Sequence, residues 1–259
     1  FNSGLQLNGN FTVTNNGTVT VSGALNGAAA TTPTWSNAAG STLNYSNTAT
    51  TLMATGTLTA NAAVNTVNYS GAGAQTVDVT TYDTLVLSGS GAKTGAVTTV
   101  NGNFSVSGTA TYTTAANLTI GGNLTVGDGT TLTIGNTFGI TVTGTTTVGG
   151  GTSGSLVFTG TTGTRRFTGL TTINTGATWN NGANSPINFR GGLHNDGTFT
   201  AGTGVYTFDT NNQIIDGSVA TVISSVTVTT ITLTNNLTTG AGLDVNTALA
   251  GTGGLTQGT

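Results

Sequence analysis

The chain has 259 residues, a net charge of −3 and only 4% charged residues, against about a quarter in an ordinary soluble domain. Four Lys and Arg against seven acidic residues, all of them Asp, offer nothing basic to a nucleic-acid backbone or an anionic membrane, and the lack of Cys excludes disulfides and thiolate metal sites. No apolar run reaches the eighteen or so residues of a membrane span, and no stretch carries apolar residues at helical spacing.

Short strands are predicted from the start of the chain. Leu5 and Leu7, then Asn8-Gly9-Asn10-Phe11-Thr12-Val13, already alternate apolar with polar residues. Such alternation turns one side of each strand inward, and β-branched Thr and Val suit an extended backbone. No basic-then-apolar leader precedes Phe1, and the run Gly251-Thr252-Gly253-Gly254-Leu255-Thr256-Gln257-Gly258-Thr259 ends in the same style, without a polar capping repeat. The expectation is a segment of a longer array, or a subunit capped by its neighbours.

A block beginning at Trp35 returns later in the chain. Trp35, Asn37, Ser41, Leu43 and Tyr45 reappear as Trp179, Asn181, Ser185, Ile187 and Phe189, all at one constant offset. Leu52 and Gly56-Thr57-Leu58-Thr59-Ala60 reappear as Leu193 and Gly197-Thr198-Phe199-Thr200-Ala201, at an offset that is slightly shorter. The match continues more loosely, with Val67-Asn68-Tyr69 as Tyr206-Thr207-Phe208, Gln75 as Gln213, and Leu85 and Leu87 as Val226 and Val228. Residues from about 35 to 110 thus resemble those from about 179 to 245, and apolar and Gly positions survive while polar filler drifts.

A shorter period runs through the middle of the chain. Ile120, Val142, Phe167 and Phe189 each precede a spacer and a Gly, and they follow one another at nearly equal intervals. A second strand follows each of the first three, at Asn123-Leu124-Thr125-Val126, Thr145-Thr146-Thr147-Val148 and Leu170-Thr171-Thr172-Ile173. A third follows a small-residue turn, as in Thr131-Leu132-Thr133-Ile134, Ser155-Leu156-Val157-Phe158, Ala177-Thr178-Trp179 and Thr198-Phe199-Thr200. The fold class is therefore all-β, a single continuous parallel β-solenoid over residues 1–259, with about three strands of four or five residues in each coil of roughly 20 to 25. A β-sandwich has equally many short strands, but a Greek key would not produce this ladder of equivalent positions.

The runs Val67-Asn68-Tyr69-Ser70-Gly71, Tyr82 to Thr94 and Val100 to Gly108, together with Gly191 to Gly204, resemble the repeat of large secreted, adhesin-like proteins of Bacteroidetes and related bacteria. The resemblance covers most of the chain and implies export to the bacterial cell surface and a β-solenoid, but no chemistry. The C-terminal sorting domain that such proteins carry has no counterpart in this sequence.

Candidate sites are few. Gly89-Ser90-Gly91-Ala92-Lys93-Thr94 superficially resembles a phosphate-binding loop, but Ala92 and Leu87 stand where that loop needs Gly, so a turn between coils is expected. His194, the single His, forms a His-x-Asp pair with Asp196, expected to face outward beside a turn. Asp78, Asp83, Asp128, Asp196, Asp209, Asp216 and Asp244 are scattered, mostly at expected turns, and Lys93, Arg165, Arg166 and Arg190 form no motif with them. Asn10-Phe11-Thr12, Asn103-Phe104-Ser105 and Asn123-Leu124-Thr125 match the glycosylation triplet but coincide with strand starts. No catalytic, cofactor or metal residue is assigned, and no cofactor is expected.

The sequence thus predicts a non-enzymatic extracellular structural protein, either a rod that builds a surface filament by end-to-end self-association or the stalk of an adhesin. Ice binding is a second expectation, from Thr-x-Thr pairs such as Thr18/Thr20, Thr57/Thr59, Thr131/Thr133, Thr141/Thr143 and Thr227/Thr229, although these move between strands. Binding or cleavage of polysaccharide is a third, since parallel β-helices often carry it. Expected partners are further copies of the chain or cell-surface contacts, with carbohydrate a further candidate.

Overall fold

A computed structural model describes residues 1–210 and 213–228, together with the backbone of strands Thr232–Asn235, Leu243–Gly251 and Gly254–Gln257. Thr229, Thr252, Gly253, Gly258 and Thr259 lie outside the described residues.

The chain winds through three sides in turn, and among the described residues the strand pairings between successive coils are parallel. The first side is one ladder of twelve strands, running from Thr18–Val21 through Thr84–Leu87 to Gly254–Gln257. On the second side Leu5–Leu7 pairs with Leu25–Gly27, and a seven-stranded ladder runs from Gln75–Thr76 to Thr198–Thr200. Met53, whose N–H donates to the Leu25 carbonyl at 2.9 Å, continues the side between them. On the third side, strands Thr12–Asn15, Thr34–Asn37 and Thr57–Thr59 lead through the bridges Ala60 to Tyr82 and Tyr82 to Val100 into an eight-stranded ladder ending at Leu243–Gly251.

This is the β-solenoid that the sequence predicts, and its register matches the short period residue for residue. Ile120 opposes Val142, Val142 opposes Phe167, and Phe167 opposes Phe189. The strands are shorter than expected, mostly three or four residues, as in Leu124–Val126 and Ser155–Phe158. Coils also vary more in length, the step from Val67 to its register partner Leu85 being well short of the step from Thr146 to Thr171. The variation falls in the corners, because the ladder hydrogen bonds require only that each short strand sit over the last.

Inward side chains form continuous columns. On the first side, Leu43, Val67, Leu85, Phe104 and Leu124 stack in one, and Tyr45, Tyr69, Leu87, Val106, Val126, Val148 and Ile173 in its neighbour, all buried. Further along, Phe158, Phe167, Trp179, Phe189, Phe199 and Tyr206 pack ring against ring, with Trp179 4.8 Å from Phe158 and 5.2 Å from both Phe167 and Phe189. Burial of such side chains stabilises the fold by about 1.5–3 kcal/mol each relative to exposure.

The long repeat does not return to the same side. Trp35 lies on the third side, in the ladder with Val13 and Leu58, whereas Trp179 lies on the second, between Leu156 and Phe199. Leu43 and Tyr45 belong to the first side, and their counterparts Ile187 and Phe189 to the third. The same displacement carries Val67 and Tyr69 to Tyr206 and Phe208.

Corners are held by polar side chains that reach from coil to coil. Asn15 Nδ2 donates to Asn37 Oδ1 at 3.1 Å, and Asn65 Nδ2 to the Asn37 carbonyl at 3.2 Å. Asn181, wholly buried, donates through Nδ2 to the carbonyls of Ser185 and Ala201 and to the Tyr206 hydroxyl, and accepts from the Ser185 N–H. These bonds satisfy backbone groups that a corner takes out of the ladders.

Candidate functional site

The most concentrated chemistry lies on the outer surface of the first side, at His194. Strand Leu193–Asn195 buries Leu193 and Asn195 and turns His194 outward, as alternation requires. The expected pairing with Asp196 is present, with Nε2 2.9 Å from Asp196 Oδ2. A third member, Asp216, comes from the next coil, where it is the register partner of His194, and its Oδ1 stands 2.6 Å from Nδ1. Asp196 is fixed in turn by the Ser218 N–H at 2.7 Å and the Ser218 hydroxyl at 2.8 Å. Burial lowers the His194 pKa, but the hydrogen bonds and charges of Asp216 and Asp196 outweigh it, so the net shift is upward. The Ser218 donors, with His194, hold the Asp196 carboxyl below its ordinary value.

Beside this cluster runs a groove of about 290 Å³ lined by Leu170, Gly191, His194, Gln213, Ile214 and Asp216. Leu170 and Ile214 are more than two-fifths exposed. Among the described residues no group of three or more His, Cys, Asp or Glu has the arrangement of a metal site.

The Gly89 to Thr94 segment departs from the expected turn. Gly89 is the corner, with φ of 73°, and Ser90–Thr94 is a strand of the second side. Alternation then points Lys93 inward, where it is fully buried opposite Gln75. Its Nζ donates to the carbonyls of Gly71 at 2.8 Å and Gly73 at 3.0 Å and to Gln75 Oε1 at 2.7 Å. An ammonium has three donors, and all three are used, so the group is tied into the wall and offers nothing to a phosphate. Burial pushes its pKa down to about 8.

Arg165 is the second inward cation. It occupies the column that holds Ile140 in the preceding coil, 1% exposed, with Nη1 donating to the carbonyls of Thr162 and Gly163 while Nε and Nη2 find no partner. Arg190 meets an acid of the next coil. Its Nε donates to Asp209 Oδ1 at 2.8 Å, and Asn188 Nδ2 to Asp209 Oδ2 at 3.1 Å.

Asp128, Asp83 and the triplet asparagines serve corners. Asp128 Oδ1 accepts from the N–H groups of Gly150 at 2.7 Å and Ser153 at 3.0 Å in the next coil, bonds that hold its carboxyl down to about 2. Asp83 Oδ2 accepts from the Val64 N–H at 2.9 Å. Asn10, Asn103 and Asn123 accept through Oδ1 from the N–H groups of Thr32, Asn123 and Thr145, each one coil on. The Asp244 side chain lies outside the described residues.

The Thr-x-Thr pairs are dispersed over all three sides, yet one side also stacks them. On the outer surface of the second side, Thr111, Thr131, Ser155, Thr178 and Thr198 form one column and Thr113, Thr133, Val157, Asn180 and Thr200 the next.

Comparison of the chain with family models, with curated proteins and with solved structures finds no match. The functional reading therefore rests on geometry.

Proposed function

We propose that this chain is a non-catalytic, extracellular structural protein, a β-solenoid rod that serves as the stalk of a bacterial surface adhesin. One observation carries the reading: parallel ladders recur coil after coil in register on all three sides, with one polar corner device repeated between coils. Each coil adds about 4.8 Å, so the twelve strands of the first side account for a rod of roughly 50–60 Å. Outward columns of Thr, Ser and Asn keep the rod wetted with little charge, and four Lys and Arg leave few sites for trypsin-like proteases. Self-association end to end into a filament is the other form of the same reading.

Immunogold labelling with antibodies to this chain tests the location. Label on intact, unpermeabilised cells, displaced from the outer surface, is expected; label only after lysis would overturn the proposal. Sedimentation of the purified chain at increasing concentration separates the two forms, with a constant coefficient for the stalk and a rising one for the filament.

Ice binding is the second reading, favoured by the paired columns from Thr111 and Thr113 to Thr198 and Thr200. Replacing Thr133 by Tyr should abolish any thermal hysteresis of the purified chain. If the unmodified chain shows no hysteresis and no inhibition of ice recrystallisation, this reading is wrong.

A further inference from the structure

We propose that His194 is a proton-operated clamp, which ties the coil of Leu193–Asn195 to the next coil at Ile214–Asp216 and releases it on losing its proton. The geometry demands the proton. Both ring nitrogens face carboxylate oxygens, Nδ1 at 2.6 Å from Asp216 and Nε2 at 2.9 Å from Asp196. An ionised carboxylate only accepts, so both contacts are hydrogen bonds only when both nitrogens carry hydrogen. A neutral ring keeps one bond and turns a lone pair toward the other acid.

The clamp spans more than one rung. Asp196 also holds the Ser218 N–H and hydroxyl, so the protonated ring links Asp216 to Ser218 through Asp196. Its own strand and the turn beyond it bring Asp196, the following coil brings Asp216, and the preceding coil opposes His194 with the uncharged Thr172. The neighbouring Arg190 is already paired with Asp209. Loss of the proton leaves two carboxylates with no cation between them, beside the groove of Leu170 and Ile214.

The sign follows from the upward net shift. Stabilisation is complete below the unfolded imidazole value of about 6.5, provided the acids are ionised, and is lost as pH rises through the higher folded value. His194 is the single His of the chain, so the imidazole titration has one source.

The test is nitrogen NMR of the ring from about pH 5 to 9, with amide hydrogen exchange over residues 214–218, corrected for intrinsic rates. The expected result is a midpoint above 6.5 and protection that falls as the ring deprotonates, about tenfold for each unit by which the midpoint exceeds 6.5. Asp216→Asn should move the midpoint down by a measurable fraction of a unit and flatten the exchange profile, and His194→Gln should remove the pH dependence. A midpoint at or below 6.5, or protection unchanged through the titration, overturns the proposal. Asp216→Asn keeps an amide oxygen for the ring, so it decides the matter even if His194→Gln fails to fold.

Discussion

Lys93 lies directly over Gln75 in the second-side ladder, and its Nζ donates to the Gln75 side-chain oxygen across 2.7 Å inside the wall. With the carbonyls of Gly71 and Gly73 completing its set of acceptors, a cation substitutes for an apolar residue in an inward position. Lys93→Met keeps the length of the side chain but strands these oxygens. A loss of about 2–4 kcal/mol is expected in denaturant unfolding, the order of the desolvation penalty for unsatisfied buried polar groups.

The same lysine sets a pH response. Its folded pKa of about 8 lies below its unfolded value, so the unfolded chain holds more protons above that pH. Stability should therefore rise between about pH 8 and 9.5, before the buried tyrosines, whose pKa values are raised, act in the opposite direction. Thermal unfolding of Lys93→Met should lack this rise.

Arg165 should behave differently from Lys93, because two of its nitrogens lack partners. A buried guanidinium with unpaired donors carries a desolvation penalty that its two bonds to the Thr162 and Gly163 carbonyls offset only in part. Arg165→Met is expected to raise the denaturation midpoint or leave it unchanged; a clear fall would mean that the guanidinium is better satisfied than the geometry indicates.

Asn181 provides the contrasting case of a satisfied polar group. Its four hydrogen bonds join Ser185, Ala201 and Tyr206, all within the buried corner. Asn181→Ala should cost about 2–4 kcal/mol, while Thr133→Ala on the outer surface should stay within about 0.5 kcal/mol. Urea midpoints of the two variants make the comparison.

Two glycines separate close approach from chain flexibility. A Cβ at Gly121 would collide with the Asn101 carbonyl of the preceding coil, whereas one at Gly17 meets nothing within 4 Å. Gly121→Ala is expected to destabilise by about 1–3 kcal/mol. Gly17→Ala should be neutral or stabilise by up to about 1 kcal/mol, since its backbone is not left-handed. Thermal melts of both variants check this.

The periodic part of the fold is legible in the sequence because register and spacing coincide: Ile120, Val142, Phe167 and Phe189 align as their spacing predicts. The site is half legible. Asp196 stands two positions after His194 and shows in the sequence, but Asp216 lies a full coil further on, and only the coil length itself points to it. The inward placement of Lys93 and Arg165 is hidden, since cations break the apolar alternation; parity with Phe167 is the signal that places Arg165 inside. The second-side strand Ser90–Thr94 hides in a Gly-rich run, where Gly89 and Gly91 both take a left-handed backbone.

The displacement of Trp35 and its block from the third side to the second on its return at Trp179 bears on how such a chain can lengthen. A duplicated stretch need not comprise whole turns to be accommodated; a copy that ends a third of a turn out of phase still finds strands beneath it and an interior to fill.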